Sequence, residues 1–278
     1  MPGLDLLQVA FGALLALIAA GSGYLVRALS RSGAFAAFCL GTIIFGLGGL
    51  PWAVLLLAFF IPSSFLSLIF KKRKETIETD YDKGSRRDAW QVLANGGLAG
   101  IFAIIHWIFP TAVLPWLGAA AALAAASADT WATELGILSR KDPILITSGK
   151  SVAKGTSGGV SPIGGVASLL GASFIATVFL FLFPLGSVSS LVSKAAWMAV
   201  AVLISGFLGS LVDSTLGATL QAIYWCPACM KETEKHPLHH CGSQTQWLRG
   251  IRWLNNDWVN FMCTLSAVVF VLLFSGII

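Results

Sequence analysis

The feature that most constrains the fold of this chain is a series of apolar segments, each about long enough to cross a lipid bilayer. A transmembrane helix needs roughly 20 predominantly apolar residues. Eight such spans are predicted, at residues 4–27, 33–50, 51–70, 89–109, 112–131, 162–184, 195–221 and 258–277. Only Pro51 separates the second span from the third, so a bundle of seven spans is also open. The sequence predicts one all-α integral membrane domain, residues 1–278, built as a polytopic transmembrane helical bundle.

Composition supports a surface that faces lipid. The chain is 56% hydrophobic and only 11% charged, and its mean hydropathy is +0.80. Soluble domains carry about 25% charged residues. The deficit is too large for a surface that is wholly exposed to water.

Positive charge predicts the orientation. Every Lys and Arg except Lys194 lies between spans one and two, three and four, five and six, or seven and eight. Because cytoplasmic loops carry the excess of basic residues, we expect cytoplasmic polar loops and both termini outside. The basic run at 71–74 is expected to anchor a span end at anionic headgroups, and no nucleic-acid partner is expected. No transit-peptide signature is present, so a prokaryotic plasma membrane is the expected location.

Acidic residues occur at or inside two of the spans. Asp129 and Glu134 fall where span five ends, and Asp213 lies within span seven. An ionisable group within a span normally pairs, lines a wet cavity or binds an ion. A hydrogen bond from a neighbouring helix is the alternative for Asp213. Gly206 and Gly209 near it permit close approach of a ligand or, more simply, of another helix.

The loop at residues 139–161 is rich in glycine, hydroxyl residues and lysine. Glycine lets backbone N–H groups approach phosphate oxygens, and hydroxyls and lysines supply donors and charge. Ser161 as N-cap and Pro162 as first residue would begin span six, whose N-terminus favours an anion. A merely flexible loop is the alternative. The residues expected to bind phosphate are Lys150, Lys154, Gly155, Thr156, Ser157, Gly158, Gly159 and Ser161.

Further polar residues mark the beginnings of spans four and eight. Asn95 lies within span four, and Asn256, Asp257 and Asn260 open span eight. Either Asn256 or Asp257 is expected to be the N-cap, which would explain one of these residues but not all. Arg86, Arg87 and Asp88, with Gln91, are a further polar candidate within the membrane. The favoured interpretation of this segment is a span end whose side chains reach the headgroups.

A hydrophilic loop at residues 222–257 has the spacing of a metal-binding knuckle. It contains Cys226-x2-Cys229, a later cysteine and three histidines: Cys241, His236, His239 and His240. Three cysteines and one histidine can complete a tetrahedral zinc site, which would be structural because no position stays open. His239 or His240 is favoured as the fourth ligand, then His236. Free thiols are the alternative; an odd, clustered set argues against disulfides.

Four segments of the sequence carry a family resemblance. They are Asn95–Gly97, Ala128–Glu134, Lys154–Ser161 and Asn256–Asn260. With them, the chain resembles, over most of its length, the transmembrane protein 19 family of integral membrane proteins, also termed DUF92, which includes plant phytyl-phosphate kinase. The Cys/His knuckle looks like the bacterial branch of that family.

A more distant resemblance concerns the order of three elements, Asp129, Lys154-x-Thr156 and Asp213. This order is similar to that of membrane CTP-dependent cytidylyltransferases and dolichol kinases. Where the cytidylyltransferases carry an Asp-Arg pair, this chain has Asp213-Ser214. The lost charge puts nucleotidyl transfer in doubt more than phosphate binding.

The resemblance implies phosphorylation of a prenyl monophosphate, such as phytyl or geranylgeranyl phosphate, by CTP or another nucleoside triphosphate. The catalytic residues would then be Asp129, Glu134, Lys154 and Asp213. Mg²⁺ would be held by Asp129 and Asp213, with Asp257 as a further candidate ligand. Asn95, Asn256 and Asn260 would contribute to nucleotide or phosphate binding. A CTP-dependent lipid nucleotidyltransferase and a secondary transporter of a phosphorylated or anionic substrate remain alternatives.

Overall fold

The computed structural model describes residues 5–74, 86–183 and 189–276. Within them the chain forms α1 (Leu6–Leu25), α2 (Arg31–Lys74), α3 (Ala89–Ile108), α4 (Leu114–Gly136), β1 (Ile144–Leu145), β2 (Gly159–Val160), α5 (Pro162–Leu182), α6 (Ser189–Thr219), β3 (Ile223–Cys226), β4 (Lys231–Thr233), β5 (Gln246–Arg249) and α7 (Asn256–Ser275). The predicted span limits at 4, 184 and 277, and the basic residue Lys83, lie outside the described residues.

The predicted helical membrane bundle is confirmed, with a different number of spans. Among the described residues, six helices are long and apolar enough to cross a membrane, namely α1, α2, α3, α5, α6 and α7. Two of the eight predicted spans have no separate candidate helix. Predicted spans two and three belong to one helical element, α2, and the predicted fifth span, α4, is not among the apolar candidates.

A break divides α2 into two parts. Gly49 has a φ of 73°, in the left-handed region that favours glycine, two residues before Pro51. Near one end of α1, Gln8 Nε2 donates a 2.9 Å hydrogen bond to the carbonyl oxygen of Gly46. Near the other end of α1, a Cβ at Gly23 would lie 3.0 Å from Phe60. The part of α2 after Gly49 therefore runs back along α1.

The alanine-rich α4 is the central helix of the bundle. Every residue from Pro115 to Ala128 is buried. Cβ atoms placed on Gly206 and Gly209 of α6 would lie 2.6 and 2.9 Å from the side chains of Ala124 and Ala125. These glycines therefore serve close helix packing, the simpler of their two predicted roles. Because other helices surround α4, it needs less hydropathy than a helix that faces lipid.

The polar loops gather at one end of the bundle, which we call the polar end. Glu134 lies there on the last turn of α4 and accepts a 2.5 Å hydrogen bond from Ser67 of α2. The amide of Arg87, just before α3, donates to the carbonyl of Ala28, just after α1. Since α1 ends here and α7 begins here, the first residue of α1 and the last of α7 lie at the opposite end.

Two small sheets, which the sequence did not predict, organise the loops at the polar end. β1 and β2 pair antiparallel, with Ile144 opposite Val160, and close the glycine-rich loop. β3 is the central strand of the order β4-β3-β5. This second sheet carries the cysteine- and histidine-rich segment.

Caps fix where two of the helices begin. Ser161 Oγ accepts a 3.1 Å hydrogen bond from the amide of Gly164, so the predicted N-cap of α5 is confirmed. The N-cap of α7 is Asn255, whose Oδ1 accepts from the amide of Asp257 at 3.1 Å. The prediction of Asn256 or Asp257 as N-cap was wrong by one or two residues, because any Asn or Asp in this run has the chemistry of a cap.

Candidate active site

A polar cavity of about 640 Å³ opens at the polar end, between the glycine-rich loop and α3 to α7. Among its lining residues are fourteen of the predicted site residues: Asn95, Asp129, Glu134, Lys154, Gly155, Thr156, Ser157, Gly158, Gly159, Ser161, Asp213, Asn256, Asp257 and Asn260. Lys150 is the exception: its side chain is exposed, and it does not line the cavity. Segments far apart in sequence therefore meet at one place.

Carboxylates concentrate negative charge in this cavity. Asp213 on α6 interacts electrostatically with Asp129 of α4 and with Glu234, which follows β4. Oδ2 of Asp213 is buried, and no described residue forms a hydrogen bond with it. Glu134 and Asp257 are also buried in the wall. Such a set is unfavourable unless protons or a cation offset its charge.

The glycine-rich loop packs onto the end of α6. Gly155 and Gly158 have φ angles of 90° and 81°, which side chains rarely adopt. A Cβ on Gly158 would lie 2.5 Å from the backbone nitrogen of Ala218, so only glycine fits at this contact. The loop is therefore held in one conformation against the helix that carries Asp213.

Positive charge reaches the cavity from the same loop. Lys154 Nζ donates a 2.6 Å hydrogen bond to the carbonyl oxygen of Ser139, which holds this half-buried side chain beside the end of α4. The N-terminus of α5, capped by Ser161, also lies at the cavity. An ammonium group and a helix N-terminus both favour bound anions.

Arg87 is a cavity residue that the sequence analysis named as a candidate while favouring an ordinary span end. Its half-buried side chain lines the cavity instead of extending to headgroups. Burial lowers the pKa of Arg87, while the negative charges of Glu134 and Asp129 act to raise it; an arginine stays protonated throughout. No pattern in the sequence distinguishes this arginine from a basic residue at an ordinary span end.

Gln221 is a cavity residue that the sequence analysis did not name. Its side chain is buried, with Oε1 accepting a 2.7 Å hydrogen bond from Ser157 and Nε2 donating a 2.8 Å hydrogen bond to Glu234. It therefore connects the glycine-rich loop with the segment after β4. A single glutamine after an apolar helix gives no sequence signal of this role.

Cys226, Cys229, His239 and Cys241 form a cluster that could hold a metal ion. One ligand atom from each lies within 4.8 Å of the others. The Sγ atoms of Cys226 and Cys241 are 3.6 Å apart, and Nδ1 of His239 is 3.3 Å from Sγ of Cys241. Zn–S bonds of about 2.3 Å imply tetrahedral S–S separations of about 3.8 Å, so the spacing fits a four-coordinate metal.

The cluster also distinguishes among the three histidines. His239 supplies the fourth ligand atom, while Nδ1 of His240 lies 2.9 Å from Nε2 of His239. His236 stacks on Tyr224 with ring centroids 4.4 Å apart. His239 is thus the member of the predicted set that the cluster contains.

The thiols of the cluster have unequal proton affinities. A hydrogen bond from the side chain of His239 lowers the pKa of Cys241 to about 6. A hydrogen bond with Cys241 raises the pKa of Cys229 to about 11. A metal ion binds thiolates, so binding would release protons from the cluster.

Fold and cavity together define a polytopic integral membrane protein with a charged cavity at one end of its bundle. The chain belongs to the family described as integral membrane protein DUF92, whose model matches residues 14–268.

Three proteins are similar to this chain in sequence. Protein PGR of Arabidopsis thaliana is 31% identical over 93% of both chains. Protein VTE6, chloroplastic, of the same plant is 30% identical over 91% of this chain and 67% of its own length. An uncharacterized membrane protein of Methanocaldococcus jannaschii is 32% identical over 70% of this chain and 76% of its own. No solved structure matches.

Proposed function

We propose that the protein is a membrane-bound kinase that transfers the terminal phosphoryl group of CTP, or of another nucleoside triphosphate, to a prenyl monophosphate. The products would be a prenyl diphosphate and the nucleoside diphosphate. The resemblance to the family that includes phytyl-phosphate kinase supports this choice of acceptor. A lipid-soluble substrate also suits a cavity that lies at the end of membrane-spanning helices.

One observation carries the proposal: the glycine-rich loop and the carboxylates of α4, α6 and α7 line a single cavity. A nucleoside triphosphate and a prenyl monophosphate bound side by side need both kinds of group. Backbone amides and Lys154 bind the phosphate oxygens, and acidic residues hold a counter-cation. A helix-packing role would explain the glycines of α6, although it would not explain Asp129, Asp213 and Asp257 together.

The residues present fit Mg²⁺, a cation that prefers oxygen ligands. The buried Oδ2 of Asp213 has no hydrogen-bond partner among the described residues, and Asp129 and Asp257 line the same cavity. Asp129 and Asp213 would hold the ion, with Asp257 as the further candidate. When bound, Mg²⁺ would offset charge on the donor phosphates.

The chain's own residues would then position the transfer. An oxygen of the acceptor monophosphate attacks the γ-phosphorus and forms the prenyl diphosphate. The bond from that phosphorus to the β-γ bridging oxygen breaks, and the nucleoside diphosphate leaves with the bond electrons. Because the acceptor is already ionised, no strong base is needed. Lys154 and the N–H groups of Gly155 to Gly159 would stabilise charge on the transferred group, since such reactions depend mainly on positioning and electrostatics. Glu134, held by Ser67, would orient groups around Asp129.

We also propose that the Cys/His cluster binds Zn²⁺ in a structural role. Three thiolates and one imidazole are ligands that zinc prefers, and the four protein ligands would leave no open position for substrate. The cluster belongs to the sheet that follows α6, so the ion would stabilise the segment that carries Glu234.

For orientation, we propose that the polar end faces the cytoplasm of a prokaryotic cell. Basic residues concentrate in the loops at that end, whereas Lys194 follows the start of α6 at the other. Nucleoside triphosphates are cytoplasmic, so this orientation would give the cavity its donor.

A turnover assay on the purified, detergent-solubilised full chain tests the proposal. It contains Mg²⁺, geranylgeranyl monophosphate and γ-labelled CTP, with labelled ATP and UTP in parallel. Asp129→Asn serves as the inactive variant, and Asp142→Asn is the matched control because Asp142 is exposed and does not line the cavity. We expect label in a prenyl diphosphate with the wild type and the control only.

Two outcomes would move the assignment elsewhere. Binding of nucleotide without transfer to any prenyl monophosphate would favour the lipid nucleotidyltransferase. Absence of nucleotide binding, with phosphate-dependent uptake in liposomes, would favour the transporter.

A further inference from the structure

A second pocket lies beside the polar cavity, between α1, both parts of α2 and α3. Its walls are apolar and include Ala19, Ala37, Leu40, Leu57, Phe60 and Val92. Three polar residues, Arg87, Gln91 and Asn95, line both this apolar pocket and the polar cavity. The polar cavity and the apolar pocket therefore share a wall. This wall carries a charged side chain and borders apolar residues.

We propose that the apolar pocket binds the part of an isoprenoid chain next to its phosphate, while the phosphate lies against Arg87 in the polar cavity. The inference rests on the proposed function for the identity of the ligand, a prenyl monophosphate. It adds where that acceptor lies: its apolar chain lies between α1, α2 and α3.

The side chain of Arg87 joins the two environments. Its guanidinium carbon is 5.5 Å from the ring centroid of Phe59, a residue that lines the apolar pocket. A half-buried guanidinium recognises phosphate through paired N–H donors. An anionic headgroup on Arg87 would thus place the first carbons of its chain beside the Phe59 ring.

Two polar residues of α3 continue this wall. Gln91 and Asn95 are four residues apart and so lie on one face of the helix, and Asn95 Nδ2 donates a 2.8 Å hydrogen bond to the carbonyl oxygen of Gln91. Gln91 Oε1 accepts from the amide of Asp88 in a capping box, which fixes its side chain. The junction is therefore a fixed polar edge against which a headgroup can be oriented.

The size of the apolar pocket limits what it can hold. Its volume is about 50 Å³. A cavity that holds one water molecule has a volume of roughly 10–15 Å³. About four groups of that size fit, close to one isoprene unit. The remainder of a longer chain would extend into lipid, so the apolar pocket selects the beginning of the chain more than its length.

Filling the apolar pocket tests the inference. Ala19 and Ala37 are half-buried and line it, and Ala19→Leu or Ala37→Leu would each add three carbon atoms. Ala10→Leu is the matched control, because the same change falls at an exposed position of α1. Equilibrium binding of labelled geranylgeranyl monophosphate and of CTP is measured on each folded, purified full-length chain.

We expect both pocket variants to bind geranylgeranyl monophosphate about tenfold or more weakly, since burial of even two methylene groups is lost. CTP affinity should not change in them, and Ala10→Leu should match the wild type in both measurements. Unchanged affinity for geranylgeranyl monophosphate in the pocket variants would overturn the inference.

If the pocket variants do not fold, a cross-linking measurement on the wild-type chain tests the inference instead. A prenyl monophosphate with a photoreactive group on its first isoprene unit is cross-linked, and the labelled peptides are mapped. Label within α1, α2 or α3 supports the inference, and label confined to other helices overturns it.

The binding results also separate this inference from the proposed function. Binding through the apolar pocket without formation of a diphosphate would contradict the kinase and keep the acceptor site. Turnover with an unchanged KM for the acceptor in Ala19→Leu and Ala37→Leu would keep the kinase and contradict the site. A wild-type chain that binds no prenyl monophosphate would contradict both.

Discussion

The hydroxyl of Ser157 donates a 2.7 Å hydrogen bond to Oε1 of Gln221, a buried residue of the cavity wall. Nε2 of the same glutamine donates to Glu234, in the segment between Cys229 and His239. One side chain thus couples the glycine-rich loop to the loop that carries the Cys/His cluster. The shape of the candidate phosphate site depends on both.

Replacing Gln221 with alanine should loosen the glycine-rich loop. It would leave the hydroxyl of Ser157 without this acceptor and a carboxylate oxygen of Glu234 without this donor. Each lost hydrogen bond costs about 1–3 kcal/mol of stability. We expect a KM for the nucleotide raised about tenfold, with a smaller change in the KM for the acceptor. Gln246→Ala, at an exposed position of β5, is the control. Equal KM values for the nucleotide in the two variants would show that the hydrogen bonds of Gln221 do not shape the phosphate site.

Replacing Gly158 with alanine should disrupt the contact between the loop and α6. The new Cβ would meet the backbone of Ala218 at 2.5 Å, and φ is 81°; strain of this kind costs on the order of 1–3 kcal/mol. We expect nucleotide binding, measured by calorimetry, to be lost or strongly weakened. Gly21→Ala should have no such effect, because a Cβ there would lie within 4 Å of no atom outside the backbone of its own helix turn. Normal nucleotide affinity in Gly158→Ala would argue against a phosphate-binding role for the loop.

Replacing Asp213 with asparagine should impair a metal site while preserving the fold. Changes even to groups that only support metal ligands cost about 10–100-fold, so we expect turnover to fall at least 100-fold and the Mg²⁺ concentration for half-maximal rate to rise. The thermal midpoint should not fall, because the substitution removes a buried charge at nearly constant volume. The Asp142→Asn control should keep a normal turnover, a normal Mg²⁺ dependence and a normal thermal midpoint. Near-normal turnover in Asp213→Asn would remove this residue from the proposed Mg²⁺ site.

Removing metal from the Cys/His cluster should loosen the loop at 222–255. Metal binding to such clusters contributes directly to folding, so a chelator should release one zinc ion per chain and expose this loop to proteolysis. Cys226→Ser should behave like the chelated wild type, and Cys39→Ser, an exposed cysteine outside the cluster, should keep the metal. Freshly purified wild type that contains essentially no zinc would contradict the zinc proposal.

The sequence predicted the positions of the helices better than their places within the bundle. The apolar segments and the cap at Ser161 follow from local chemistry, so helix positions agree closely with the structure. The place of α4 depends on which helices surround it, and hydropathy alone cannot reveal that. Likewise, Pro51 marked a boundary, although the break itself lies at Gly49 because glycine reaches the left-handed region.

The candidate site was predicted where each residue type is unusual for its surroundings. Asp129 and Asp213 stand out because carboxylates are rare in spans, and the glycine-rich loop because of its composition. Arg87 and Gln221 enter the cavity only through tertiary packing, and their local sequence looks ordinary. Lys150 shows the converse: the composition of the loop included it, yet the paired strands leave it exposed.

The most direct test of the central claim is to follow which phosphorus atom of the donor moves. CTP labelled at the α position and CTP labelled at the γ position are incubated separately with the purified chain, Mg²⁺ and geranylgeranyl monophosphate, and the lipid and aqueous products are separated. Phosphoryl transfer predicts γ-label in a prenyl diphosphate and α-label in CDP. Label from the α position in the lipid, with release of pyrophosphate, would contradict the kinase and identify a nucleotidyltransferase.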